Sequence, residues 1–74
     1  MKHDQVMARL GAVIRARREA LELSQEAFAD RIEMHRTYYS AIERGEKNIQ
    51  LSTLLRVCQG LGVTVEVVCG DCGI

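Results

Sequence analysis

Residues 24–45 read SQEAFADRIEMHRTYYSAIERG, and this stretch decides how the chain folds. Ser24 suits an N-cap, because its hydroxyl can accept a backbone N–H that the first turn of a helix leaves unpaired. The apolar residues that follow recur at helical spacing and predict one helix over residues 25–32 and another over residues 36–44. Gly45 suits the left-handed position that ends the second helix. With only three residues between them, these helices are expected to cross, and their inner side needs cover from other helices.

The flanking sequence supplies that cover as further amphipathic helices. Apolar residues from Val6 to Leu21 fall at spacings of three, four and seven, which predicts a helix of roughly four turns with an arginine-rich outer face. Leu51 to Leu61 predicts another helix, ended by Gly62 and weakened by about 1 kcal/mol at Gly60 relative to alanine. The sequence therefore predicts an all-α, compact domain of four to five helices. One domain is expected over residues 1–74, with a core at about 6–62 and a tail at about 63–74.

The tail at residues 63–74 has a different character. Val63 to Val68 is β-branched and largely alternates apolar with polar residues, which is typical of a strand. Since a lone strand lacks backbone partners, the same strand of a second copy is the expected partner, in a two-fold ribbon through Val63, Val65 and Val67. A small domain also gains needed stability from a partner subunit. A fifth helix is the alternative for this segment.

Charge is segregated along a chain whose net charge is zero. Residues 1–18 hold five basic side chains and one acidic, residues 19–34 hold five acidic and one basic, and residues 35–50 return to a basic excess. The chain can therefore have one basic face that neutralises DNA phosphates, although its net charge is zero. If charge is the only evidence, the alternative is that these residues simply form solvated helix faces. No apolar run is long enough to span a membrane, and the start does not read as a signal peptide, so the sequence predicts a cytoplasmic protein without a membrane partner.

Several segments occur together at a spacing that resembles the Cro/C1-type helix-turn-helix family, over roughly residues 7–63. The segments are Leu23–Ala29 (LSQEAFA), Arg36–Gly45 (RTYYSAIERG), Leu54–Leu55 and Leu61–Val63 (LGV). That family includes phage repressors, restriction–modification controller proteins and antitoxin repressors. The resemblance implies a lambda-repressor-like domain that binds a palindromic operator in double-stranded DNA as a homodimer and regulates transcription.

The resemblance also implies roles for individual residues of the unit from Ser24 to Gly45 and its surroundings. The helix over residues 36–44 is the recognition helix by this resemblance. Its expected base-reading residues are Arg36, Thr37, Ser40 and Ala41. Arg36 is the strongest of these, because a guanidinium can bond bidentately to guanine O6 and N7. The expected contacts to the DNA backbone are Gln25, Tyr38, Arg44, Lys47 and Asn48. Arg18 and Glu43 are implied to form an ion pair that holds the recognition helix, with two solvated charges as the alternative.

Two residues of the turn depart from the family's pattern. Glu33 stands where the family often has glycine, so a left-handed backbone conformation is expected to strain it. His35 replaces the usual Ser, Thr or Asp cap and is expected to be a poorer one. Contact of His35 with a phosphate is the alternative role.

Cys69 and Cys72 form a CxxC, and Cys58 is the third cysteine. A structural zinc site needs four ligands and the chain offers two at suitable spacing, so no metal site and no cofactor are predicted. Cys58 is expected to pack as a small apolar residue. A thiol- or zinc-responsive sensor remains one alternative function, and an antitoxin that binds a toxin protein remains another. No nucleophile–base pair, paired carboxylates or phosphate loop occurs, so no catalytic residues and no enzyme activity are expected.

Overall fold

The structure, a computed structural model, describes residues 3–73, with side chains from residue 5 onward. Within this part of the chain the architecture is all-α. The helices are α1 (His3–Ala20), α2 (Gln25–Arg31), α3 (Arg36–Glu43), α4 (Leu51–Leu61) and α5 (Val65–Asp71). The predicted crossing pair is present as α2 and α3, which pack against each other, while α1 packs against α3, α4 and α5. The side chains of Lys2 and Asp4 lie outside the described residues.

Side-chain caps fix where the short helices begin. Ser24 Oγ accepts the Ala27 N–H at 3.0 Å, which confirms the predicted cap of α2. His35 Nδ1 accepts the Thr37 N–H at 3.2 Å and so caps α3. In the turn between these helices, Glu33 takes the left-handed conformation expected from its position, with φ of 57°. The turn geometry that orients α3 is therefore set by local chemistry.

The core lies where the five helices meet. Each helix contributes one side chain with 0% of its surface exposed, and these are Ile14, Phe28, Tyr39, Val57 and Val68. The Phe28 and Tyr39 rings lie 5.1 Å apart with a tilt of 50°, a separation at which aromatic pairs attract. Because α2 and α3 meet through these two rings, α3 is supported by the core on its inner side.

Residues 63–68 do not form the predicted strand; this prediction is wrong, and the alternative of a fifth helix is confirmed. Thr64 Oγ1 accepts the Val67 N–H at 3.2 Å and caps α5, and Val68 and Cys72 bury their side chains at helical spacing. Burial against α1 and α4 outweighs the β-propensity of the valines, as tertiary contacts often do.

Without a strand there is no intersubunit ribbon. Val63 and Val65 instead pack partly buried against the core, and Val67 is 40% exposed. The predicted roles of Val63, Val65 and Val67 in dimerisation stay predictions, but their proposed β-pairing is not available in this conformation.

A membrane-spanning helix must be both long and apolar. Among the described residues, no single helix has both the length and the hydropathy of a membrane span. The pair α4 and α5 reaches that length and composition only when taken together across a bend of 93°.

Gly60 lets α4 approach α2 closely, a role that helix propensity alone does not reveal. A Cβ at this position would lie 2.3 Å from Ile32 Cγ2 and 3.1 Å from Phe28 Cζ. Both neighbours are buried, so they cannot swing away as an exposed side chain can. Alanine at Gly60 would therefore overpack the core beside α2.

We expect Gly60→Ala to lower the free energy of unfolding by about 1–3 kcal/mol, because core overpacking exceeds the gain in helix propensity. Gly70→Ala in α5 is the matched control, since nothing lies within 4 Å of a Cβ there. That control should stabilise the protein by about 0.5–1 kcal/mol. Urea denaturation of both variants measures the difference. Equal stability of the two variants would contradict the close approach of α4 to α2.

Candidate nucleic-acid interface

The face of α3 that points away from the core carries most of the predicted base-reading residues. Arg36 and Thr37 are exposed, and Ser40 is half-buried. Together with Arg44 they line a shallow hollow of about 230 Å³. The structure thus brings these side chains onto one surface, on which a guanidinium and two hydroxyls face solvent.

Ala41 does not belong to this projecting face. It is only 4% exposed, because the chain folds back after Gly45 and the Glu46 N–H bonds to the Ala41 carbonyl at 3.0 Å. The outward position predicted for Ala41 is therefore wrong, while its predicted contact with a base stays a prediction.

The predicted DNA-backbone contacts gather at the C-terminal end of α3. Tyr38, Arg44 and Lys47 line a second hollow, of about 520 Å³, beside the first. Lys47 Nζ lies 5.7 Å from the centre of the Tyr38 ring, at cation–π distance. Asn48 follows in the same loop and is exposed. Cationic and hydroxyl donors are thus concentrated on the surface around the end of α3.

Gln25 is placed differently from the prediction. Its side-chain Nε2 donates to Glu43 Oε1 at 2.9 Å, so the amide group holds α3 instead of projecting from the surface. The backbone of Gln25 still begins α2. The expected contact of Gln25 with DNA stays a prediction.

The predicted ion pair between Arg18 and Glu43 is present and buried. Arg18 Nε donates to Glu43 Oε2 at 2.8 Å and Nη2 donates to Oε1 at 3.0 Å. The two side chains are 9% and 2% exposed, which excludes the alternative of two solvated charges. Arg18 Nη1 also donates to the Leu23 carbonyl at 2.9 Å. One guanidinium therefore ties together α1, the segment before α2 and the end of α3.

Tyr39 completes this network, and the sequence reading missed its part. Its ring is buried in the core, and its hydroxyl donates to Glu43 Oε2. The available signal was the spacing, since a Tyr four residues before a Glu lies on the same helix face. Glu43 thus accepts hydrogen bonds from Arg18, Tyr39 and Gln25, and no described buried side-chain nitrogen or oxygen lacks a partner.

The charge state of the network follows from burial and these hydrogen bonds. Burial alone would raise the pKa of Glu43, but the hydrogen bonds from Arg18, Tyr39 and Gln25 outweigh it and hold that pKa below its ordinary value. Burial, and then the hydrogen bond to Glu43, raises the pKa of Tyr39. The hydrogen bond to Glu43 also raises the pKa of Arg18. At neutral pH the network therefore holds one cation, one anion and a neutral phenol.

Glu43 should make the fold acid-sensitive. Because its pKa is lower in the folded chain than in the unfolded chain, the stability it contributes is complete above the ordinary Glu pKa of about 4.3 and is lost as the pH falls below it. The advantage of the natural chain over Glu43→Gln should therefore be constant from about pH 7 to about pH 5 and shrink as the pH falls further, toward about pH 3. Urea denaturation across that range measures it, with Glu66→Gln as an exposed control. Parallel pH profiles for the natural chain and Glu43→Gln would contradict the depressed pKa.

The cysteines lie apart from this surface. Cys58 is 2% exposed and packs in the core, as predicted, and Cys72 is also buried. Cys69 is half-buried, and no disulfide joins any of the three described cysteines. Burial raises the pKa of Cys58. Within the described part of the chain, no three His, Cys, Asp or Glu side chains are grouped to hold a metal ion.

Comparison with known proteins finds similarity in both sequence and backbone. The family model described as helix-turn-helix matches residues 14–68. Control protein C.MunI from Mycoplasma sp is 46% identical over 55 residues, covering 74% of this chain and 74% of that protein. The clp gene regulator ClgR from C. glutamicum superposes with a TM-score of 0.88 at 28% identity, covering 92% of this chain and 87% of the other. The restriction-modification controller protein C.AhdI from Aeromonas hydrophila superposes with a TM-score of 0.80 at 29% identity, covering 84% of this chain and 94% of the other.

Proposed function

This chain belongs to the Cro/C1-type helix-turn-helix family of DNA-binding regulators, and from that premise we propose that it reads a palindromic operator as a homodimer. Relatives that are restriction–modification controller proteins support this proposal. The observation that carries the proposal is the exposed face of Arg36, Thr37 and Ser40, held rigidly from behind by the buried pair of Arg18 and Glu43.

Base reading is assigned to this face of α3. Arg36 is the first residue of α3, and helix-turn-helix proteins contact base edges with the N-terminal residues of the recognition helix. Its guanidinium suits the O6 and N7 acceptors of guanine, while the methyl group of Thr37 suits the methyl group of thymine. Ser40 lies one turn further along α3, where a hydroxyl can bond to a base or a phosphate.

Phosphate contacts are assigned to the loop at the end of α3. Tyr38, Arg44, Lys47 and Asn48 offer hydroxyl, guanidinium, ammonium and amide donors. Such contacts set the register of a protein on the duplex without carrying sequence information. They also supply the affinity that a chain with zero net charge must obtain from local charge.

Dimerisation is assigned to α4 instead of the tail. Leu51 and Leu55 stand one turn apart on α4 and are 66% and 45% exposed. Val67 of α5 is also exposed, at 40%. Large apolar side chains exposed in a row on a small domain are typical of an interaction surface. A second copy covering the α4 leucines would add the stability that a 74-residue chain gains from a partner.

We expect Leu55→Glu to weaken self-association at least tenfold, since a buried leucine contributes about 1.5–3 kcal/mol and tenfold corresponds to about 1.4 kcal/mol. Sedimentation equilibrium measures the dissociation constant. Val67→Glu is the matched variant on α5 and should leave that constant nearly unchanged. If Val67→Glu produced a monomer and Leu55→Glu did not, the dimer interface would lie in the tail and not on α4.

Selection of binding sites from a library of randomised duplexes tests the proposed function. We expect enrichment of an inverted repeat whose half-sites are about 34 Å, one helical turn, apart. A library that emerges without any enriched sequence would contradict sequence-specific binding. The antitoxin alternative receives no support from the relatives, whose names describe control proteins and gene regulators. A thiol response and a cytoplasmic location stay predictions.

A further inference from the structure

Arg44 already holds an anionic partner on the surface that is proposed to meet DNA. Its Nε donates to Glu46 Oε2 at 3.0 Å and its Nη2 donates to Glu46 Oε1 at 3.1 Å. The third guanidinium nitrogen, Nη1, donates to Ser40 Oγ at 2.6 Å. The carboxylate of Glu46 therefore occupies one bidentate edge of the guanidinium. Ser40 Oγ accepts a hydrogen bond from the remaining nitrogen, Nη1.

The backbone places Glu46 in this position. Gly45 has φ of 74°, its N–H bonds to the Ile42 carbonyl, and the Glu46 N–H bonds to the Ala41 carbonyl, both at 3.0 Å. These bonds form the Schellman pattern that turns a chain back over the end of a helix. A Cβ on Gly45 would lie 2.6 Å from Ala8 Cα, so the turn is pressed against α1.

The same guanidinium edge is the one that suits a phosphate. Arginine binds carboxylate and phosphate with the same two parallel N–H groups. Arg44 and Glu46 are 52% and 57% exposed, so a DNA backbone can reach them. The hydrogen bond to Glu46 raises the pKa of Arg44, and the hydrogen bond from Arg44 lowers the pKa of Glu46. Both groups are therefore charged at neutral pH and attract each other without DNA.

We propose that Glu46 is an intramolecular substitute for a DNA phosphate, which occupies Arg44 in the free protein and must be displaced when the duplex binds. The inference rests on the proposed function and deepens it, since it concerns the same surface. Displacement sets free the bidentate edge of Arg44, which can then bind a phosphate. Glu46 thereby weakens binding to every DNA sequence and sharpens dependence on the base contacts of Arg36.

Ser40 gains a defined hydrogen-bonding role from the same arrangement. Because its oxygen accepts from Arg44 Nη1, the hydroxyl group of Ser40 still has one hydrogen to donate. A donor suits base-edge acceptors such as guanine O6 and N7 or thymine O4. Arg44 thus acts as a positioning residue for Ser40 as well as a phosphate ligand.

The test measures the affinity of Glu46→Gln for the selected operator and for an unrelated duplex of equal length. We expect tighter binding to both by about two- to fivefold at low salt, the size of effect that removal of an exposed ion pair allows. The gain should shrink as salt rises, because charge interactions on the surface are screened. Glu66→Gln on α5 changes the net charge equally and should leave both affinities unchanged.

Measuring Glu46→Gln in an Arg44→Ala background distinguishes occupation of Arg44 by Glu46 from simple repulsion between the Glu46 carboxylate and the DNA phosphates. If Glu46 acts by occupying Arg44, the gain from Glu46→Gln should largely disappear there. A gain that persists undiminished, or weaker binding of Glu46→Gln in the natural background, would overturn the proposal. Absence of DNA binding by the natural chain in the site selection would instead contradict the proposed function, so the two failures are distinct.

Discussion

Arg18→Ala is expected to lower the free energy of unfolding by about 3–5 kcal/mol, the cost of leaving a buried charge without its partner. Glu43 would keep hydrogen bonds from Tyr39 and Gln25, but no cation would neutralise a carboxylate that is only 2% exposed. A chain of 74 residues is expected to have a total stability of about 4–11 kcal/mol. The variant should therefore lose a large share of its stability and unfold at a much lower denaturant concentration than the natural chain.

Arg15→Ala is the matched control for this prediction. Arg15 pairs with Glu19 on the outside of α1 at 3.4 Å, with the two side chains 63% and 54% exposed. An exposed pair contributes about 0.2–1 kcal/mol, so this variant should unfold close to the natural chain. Chemical denaturation followed by circular dichroism measures both. If Arg18→Ala proved as stable as Arg15→Ala, the buried pair would not be what holds α3 in place.

Arg36→Ala is expected to reduce affinity for the selected operator by about 5- to 150-fold, which corresponds to about 1–3 kcal/mol for a bidentate base contact. It should also relax the base preference at one position of each half-site, because the guanine acceptors lose their donor. Stability should be unaffected, since Arg36 is exposed. Repeating the site selection with the variant shows the change in preference, and titration shows the change in affinity.

Lys47→Ala distinguishes base reading from phosphate contact. Since a phosphate contact carries no sequence information, this variant should weaken binding to all duplexes alike and reduce the salt dependence by about one phosphate. Arg15→Ala serves again as the control for loss of an exposed cation. An Arg36→Ala variant that behaved like Lys47→Ala, weaker on every sequence with an unchanged preference, would reassign Arg36 to the DNA backbone.

The crossing helices were predictable because their signals are local. Each signal lies within a few residues of the feature it specifies. Ser24 specifies the helix cap, the apolar spacing from Phe28 onward specifies the buried face, and Gly45 specifies the helix end. The pair of Arg18 and Glu43 was predicted only through resemblance, since no spacing rule joins residues so far apart in sequence. Its hydrogen bonds confirm that implication.

The errors have a common physical origin in contacts distant along the chain or in the backbone at helix ends. The strand predicted from Val63 to Val68 was wrong because burial of Val68 against other helices outweighs β-propensity. Ala41 was misplaced because the chain folds back over the end of α3 after Gly45. The hydrogen bond from the Gln25 side chain to Glu43 was not predicted either, because it joins residues of two different helices.

Gly60 and Tyr39 were underestimated for the same reason. Propensity gives a cost for glycine inside a helix, but only the neighbouring helix reveals that a methyl group would overlap Ile32. Tyr39 fits the pattern of an apolar core residue, and its hydroxyl gains a role only when Glu43 is buried beside it. Sequence patterns thus identify the elements of the site, whereas the packing between elements decides which side chains remain available to DNA.

The most direct test of the central claim, that the outward face of α3 and the loop after it form the DNA surface, is an NMR titration. The ¹⁵N-labelled natural protein is titrated with the selected operator duplex, and backbone amide shifts are followed. We predict that the largest changes fall within residues 35–48, around Arg36, Thr37 and Ser40, while α5 changes little. Largest changes along α4 and α5, with the amides of α3 undisturbed, would contradict the account.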